Sequence, residues 1–139
     1  TPGSILAIDY GRVRMGLALS LDPGGAPIPL PPLRRGQGRE ATLLALEEMK
    51  AQYRIRMVVL GLPLHADRSE SPICREVRNW GKRIHRRLGI PVTYEDEHLS
   101  SHEAESRLEA LGLSSRQRAD ANDSTAAQII LESYLEHHP

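Results

Sequence analysis

Ile5, Leu6, Ala7 and Ile8 form an unbroken apolar run that stops at Asp9. Such a run suits a strand covered on both faces in the middle of a sheet. Gly11, Arg12, Val13 and Arg14 then make a turn, and Met15 to Leu19 predicts a second apolar strand returning beside the first. Ile28, Leu30 and Leu33 alternate among prolines, which predicts a third strand at a sheet edge, where proline is tolerated. The period then changes: Leu43, Leu46, Met49 and Tyr53 recur at helical spacing within Glu40 to Tyr53. Met57 to Leu60 predicts another buried strand, and Ile73, Val77, Trp80, Ile84 and Leu88 mark a helix that Gly89 and Pro91 end. Val92 to Glu97 predicts a strand. Ser100 and Glu103 form a capping box for a helix carrying Ala104, Leu108 and Leu111, closed by Gly112. A last helix, beginning near Asp120 to Asp123, buries Ala127, Ile130 and Tyr134. This order of elements predicts an α/β fold with a mixed sheet.

Several acids interrupt the apolar faces. Asp9 alternates with Ile5 and Ala7, so it falls on a face that is otherwise apolar. At the end of the fifth strand, Glu95 and Glu97 share one face and Asp96 takes the other. Asp123 lies four and seven residues before Ala127 and Ile130 and joins their inward stripe, with Asp120 one turn earlier. Each acid also has a local explanation: Asp before Gly caps turns, and acids cap helix N-termini. If Asp9, Glu97 and Asp123 converge, their mutual repulsion requires a divalent cation. Mg²⁺ or Mn²⁺ suits all-oxygen donors, and two ions roughly 3.5–4 Å apart would activate a water and stabilise the leaving oxygen of a phosphodiester.

Composition narrows the setting. The 139 residues predict a single domain, 1–139, large enough for a real core, with 40% hydrophobic and 26% charged residues. No apolar run is long enough to cross a bilayer, and no signal-peptide pattern opens the chain. The lone Cys74 cannot form an internal disulfide, in keeping with a reducing, cytoplasmic home, and its expected role is that of a small buried side chain. The 18 basic and 18 acidic residues cancel, so binding of nucleic acid by bulk charge is excluded and any basic surface must be local. The helix Ile73 to Leu88 supplies one, with six Lys or Arg against Glu76 alone. Arg75, Arg78, Lys82 and Arg86 fall opposite its apolar stripe, where they can track phosphates. Arg34, Arg35 and Arg39 make the segment before the first helix basic too. The polar stretch Gly61 to Ser71 leaves a central strand, the usual ligand location in such sheets, so Asp67, Ser69 and Glu70 either touch substrate or form a solvated cap. Trp80 reads as core, and His137 and His138 as solvated.

Four segments, DYGRVRMGLALS, GLPLHADRSES, DEHLSS and DSTAAQIILESYL, together resemble the YqgF/RuvX family of the ribonuclease H-like superfamily, in order along almost the whole chain. The resemblance implies a five-stranded mixed sheet flanked by helices and a Mg²⁺- or Mn²⁺-dependent nuclease. It also implies that Asp9, Glu97 and Asp123 are the catalytic metal ligands, with Asp120 a further candidate and Arg14 a contact to the substrate backbone. The implied substrate is the small-subunit rRNA precursor, or a Holliday junction, bound by a monomer or homodimer. His98 stands where the family usually has Arg, which replaces a guanidinium near the phosphate with a titratable imidazole. His65 and Arg68 replace a common Asn and Gly. A nucleic-acid-binding factor without catalysis is the alternative on the same fold. An actin-like ATP-binding fold would need two such domains, for which 139 residues are too few.

Overall fold

The first two strands form the expected hairpin. In a computed structural model of the chain, β1 (Ser4–Asp9) pairs antiparallel with β2 (Arg14–Ser20), Ile5 opposite Ser20 and Asp9 opposite Gly16. Residues 3–21, 25–65, 67–97, 106, 110 and 115–138 are described, the side chains of the last helix from Ser124 onward. The proline-rich β3 (Ile28–Arg34) takes the edge beside β2. Helix α1 (Arg39–Tyr53) then leads to β4 (Ile55–Leu62), which pairs parallel with β1, and α2 (Ile73–Leu88) leads to β5 (Val92–Asp96), which pairs parallel with β4. The result is a five-stranded mixed sheet in the order β3-β2-β1-β4-β5. Helix α3 (Ser115–His137) closes the described chain.

Strand alternation sorts the core into two layers. Leu6, Ile8, Met15, Leu17, Leu19, Val58 and Leu60 face α1 and α2, and pack on Leu46, Val77 and Ile84. Burying a side chain of this size contributes roughly 1.5–3 kcal/mol. On the other face Ile5, Ala7, Ala18 and Val59 meet Ala127, Ile130 and Leu131 of α3. The alanines on both sides let that helix lie close to the sheet. Gly81 does the same for α2, because a Cβ there would strike the Tyr94 hydroxyl.

Three boundaries differ from the expectations drawn from sequence. β4 runs on to Leu62, so Gly61 belongs to the strand and not to the following loop. Pairing with β5 holds it there, Gly61 opposite Glu95 and Leu62 opposite Asp96. β5 ends at Asp96, with Glu97 one residue beyond, and α3 begins at Ser115, ahead of the capping acids near 120. The helix expected around Ala104 to Leu111 and its capping box lie outside the described residues apart from positions 106 and 110. Cys74 is fully buried in the first turn of α2, and Trp80 is core, only 6% exposed. His137 and His138 are exposed, as expected. Among the described residues no helix is long and apolar enough to cross a membrane.

Candidate active site

β1, β4 and β5 all run in one direction, so their C-terminal ends share one edge of the sheet. Asp9 is the last residue of β1. Alternation after Ile5 and Ala7 turns its side chain to the α3 face. Glu97 extends the β4–β5 pairing by one step, its N–H donating to the Leu62 carbonyl at 3.0 Å. Glu95 and Glu97 therefore face α3 as well. Glu95 accepts from the Ser133 hydroxyl at 3.3 Å and lies 3.3 Å from His137 Nδ1. Glu97 lies beneath Ile130, over the backbone of Gly61. A Cβ on Gly61 would sit 2.7 Å from Glu97 Oε2 and 2.5 Å from Ile130 Cδ1. The missing side chain on β4 is what leaves room for Glu97 to reach toward Asp9 on the next strand.

The two carboxyl groups come within hydrogen-bonding reach. Burial lifts the Glu97 carboxyl above the usual range, the charge of Asp96 adds to this, and the hydrogen bond with Asp9 opposes it. Two ionised carboxylates so placed repel, so a proton or a cation must lie between them. Glu97 Oε2 is buried with no hydrogen-bond partner. Leaving such an atom unsatisfied costs roughly 1–3 kcal/mol, and native structures rarely keep one without a reason. Two hard oxygen donors at the end of parallel strands fit Mg²⁺ or Mn²⁺. Among the described residues no third His, Cys, Asp or Glu joins them. The backbones of Asp120 and Asp123 belong to α3, and their side chains lie outside the description. Ser124, the next residue, is buried and its hydroxyl donates to the carbonyl of Leu30 on β3. Leu30 pairs with Leu17, which pairs with Ile8, so this turn of α3 crosses the sheet level with the end of β1.

The remaining candidates divide. Arg14 opens β2 two residues before Gly16, the partner of Asp9, and shares that end and face of the sheet. Arg75, Lys82 and Arg86 are exposed along α2. Arg78 is not a free charge: it holds Glu70 through Nε at 2.9 Å and Nη2 at 3.1 Å, and its guanidinium lies 5.0 Å over the Tyr94 ring. Asp67 is occupied within its own loop, accepting from the Ser69 N–H at 2.9 Å and the Ser69 hydroxyl at 2.5 Å. Those two pairings favour the solvated-cap reading of the loop, in which Arg68 takes φ 69°. His98 lies outside the described residues. Sequence reasoning missed Gly61, although an isolated glycine at a strand end is a recognised sign of close approach. It also missed Tyr10, whose position beside Asp9 sends it to the opposite face.

Residues 3–137 match the family model described as RuvX, Holliday junction resolvase. The chain belongs to the RuvX family. RuvX relatives similar to it include one from Anaeromyxobacter dehalogenans, 40% identical over 134 residues that cover 94% of this chain and 95% of the relative. Another, from Thiobacillus denitrificans, is 35% identical, covering 98% and 93%. Both carry the name "Putative pre-16S rRNA nuclease". Among solved structures the RuvX chain is similar in fold to Thermus thermophilus RuvC bound to a Holliday junction substrate, with a TM-score of 0.56 at 15% identity, covering 97% of this chain and 96% of that one. A second structure of Thermus thermophilus RuvC gives 0.53 at 13% identity, covering 96% of each chain. The five-stranded mixed sheet is thus that of the ribonuclease H-like fold.

Proposed function

We propose that this RuvX-family protein is a nuclease that hydrolyses phosphodiester bonds in structured nucleic acid, with the small-subunit rRNA precursor as substrate. The buried Oε2 of Glu97, beside Asp9 and without a hydrogen-bond partner, carries the reading, because two hard oxygen donors so placed suit a divalent cation. Asp9 and Glu97 would hold the ion, and Asp123 is proposed as the third ligand. Its support is the Ser124–Leu30 bond, which sets that turn of α3 level with Asp9. Divalent Mg²⁺ or Mn²⁺ bound there supplies Lewis acidity and an activated water. Asp120 is proposed as an accessory ligand one turn earlier.

The protein's own residues do the rest. Glu97 must give up the proton that burial favours before it can act as a ligand, so binding of the cation and loss of that proton are linked. Gly61 keeps the two acids close, and Ile130 covers Glu97 against solvent. Arg14, on the same face, is proposed to orient the phosphate backbone, and Arg75, Lys82 and Arg86 to hold more distant phosphates, with Arg78 and His98 assisting. The buried lone Cys74 suits the reducing cytoplasm proposed as the setting.

The test compares a small-subunit rRNA precursor fragment with a synthetic four-way DNA junction, under Mg²⁺ and under Mn²⁺, for wild type and Asp9→Asn. Cleavage of the RNA by wild type alone is the expected result. Cleavage of the junction alone would move the substrate to branched DNA. Equal turnover by Asp9→Asn would remove the site, and no cleavage of either substrate would leave a binding factor on a nuclease fold.

A further inference from the structure

Asp9 and Tyr10 are consecutive, about 3.8 Å apart at Cα, and point to opposite faces of the sheet. Behind Tyr10, between α2 and the start of α1, lies a cavity of about 350 Å³ that neither Asp9 nor Glu97 lines. Tyr10 and Trp80 floor it, their rings 6.4 Å apart and tilted by 50°. Arg35 lies over both, its guanidinium carbon 5.0 Å from the Tyr10 centroid and 4.7 Å from that of Trp80, and is tied to the carbonyl of Gly11. Arg39 and Arg83 line the walls with Asn79.

The one acid among the described residues that line it, Glu76, is already satisfied. It accepts from the Tyr10 hydroxyl and from Arg12, whose Nη2 lies 2.9 Å away, and these partners hold its carboxyl below the usual range. Arg39 and Arg83 have no acidic partner among the described residues. A cavity with three guanidinium groups and a neutralised carboxylate selects an anion. Planar guanidinium forks match phosphate in particular, and the volume is that of a small-ligand site.

We propose that this cavity binds a phosphate of the nucleic-acid strand whose neighbouring phosphodiester is presented to Asp9 and Glu97. The proposal rests on the nuclease reading, since it is the one-residue step from Asp9 to Tyr10 that makes a nucleic-acid strand the source of the phosphate. Arg39 and Arg83 grip the phosphate, and Arg35, fixed on its two rings, offers a flat cationic surface on which a base can lie. The site fixes how the strand crosses the edge of the sheet, which the exposed charges along α2 cannot do.

Trp80 is the sole tryptophan, so its emission reports occupancy of the cavity. The experiment uses full-length Asp9→Asn protein in chelator, so that neither cleavage nor metal enters. A single-stranded RNA decamer is titrated in two forms, one with a 5′-hydroxyl and one with a 5′-phosphate, beside uridine 5′-monophosphate and inorganic phosphate. The expected result is a saturable change in Trp80 emission with the decamers, weakened at least about tenfold by Arg39→Ala with Arg83→Ala, with a salt slope lower by about one to two. Asn79→Trp, which fills the cavity without changing charge, should weaken binding of a fluorescein-labelled decamer to a similar degree. Arg56→Ala, at the far end of β4, should not. Tighter binding of the 5′-phosphate form identifies a terminal phosphate as the ligand, and equal binding an internal one. A silent Trp80, an Arg39/Arg83 variant no weaker than Arg56→Ala, or an unaffected Asn79→Trp overturns the site. An enzyme inactive on every substrate that still passes these tests would overturn the nuclease reading and leave the phosphate site standing.

Discussion

Glu97 rests its carboxylate on the bare backbone of Gly61, and a single Cβ at that position would approach Oε2 to 2.7 Å. The acid that is far from Asp9 along the chain is thereby brought over an intervening strand. Gly61→Ala should cost roughly 1–3 kcal/mol of stability through overpacking against Ile130 and Glu97. It should also lower cleavage more than any loss of folded protein explains. Thermal melts beside turnover per folded molecule check both parts.

Asp9→Asn should lower cleavage at least about 100-fold, the scale on which loss of one group stabilising a transition state is felt. Melting temperature should stay level or rise, since a repelling charge leaves a crowded pair. A large loss of stability would instead make Asp9 a structural cap.

The metal-free protein should lose stability as pH rises. The folded state holds the Glu97 proton more tightly than the unfolded chain, whose ordinary value is 4.5. Below that pH both states are protonated; above it the unfolded state releases its proton first, and stability falls until folded Glu97 ionises too. Glu97→Gln removes this dependence and should be the more stable protein at neutral pH. Denaturant melts of both proteins in chelator, from pH 4.5 to 8, measure the difference.

Mg²⁺ or Mn²⁺ should reverse the loss. A cation at one hundred times its dissociation constant stabilises by about 2.7 kcal/mol if it binds only the folded state. The shift should be absent in the Asp9→Asn, Glu97→Gln double variant. An equal shift in that variant would place the ion elsewhere.

The basic face of α2 should be graded. Lys82→Ala and Arg86→Ala should each lower the salt slope of RNA binding by about one, while Arg78→Ala should do less, because Glu70 already holds its guanidinium. Slopes measured by anisotropy in a salt series separate the three.

Much of this molecule is written in short windows of sequence. Unbroken apolar runs and helical repeats place β1, β2, α1 and α2 within a residue or so, because burial of a whole strand or of one helical stripe is a local pattern. Strand alternation marks Asp9 as an acid on an apolar face. Only the tertiary structure decides that Glu97 meets it. That meeting needs the strand order β1-β4-β5, a parallel register with Gly61 opposite Glu95, and Ile130 packed above. The seat of Arg35 on Tyr10 and Trp80 is settled in the same way. Strand order and side-chain partners across elements come from packing between segments far apart along the chain. No window of sequence holds both partners, so periodicity can name the acids and basic residues but not which of them touch.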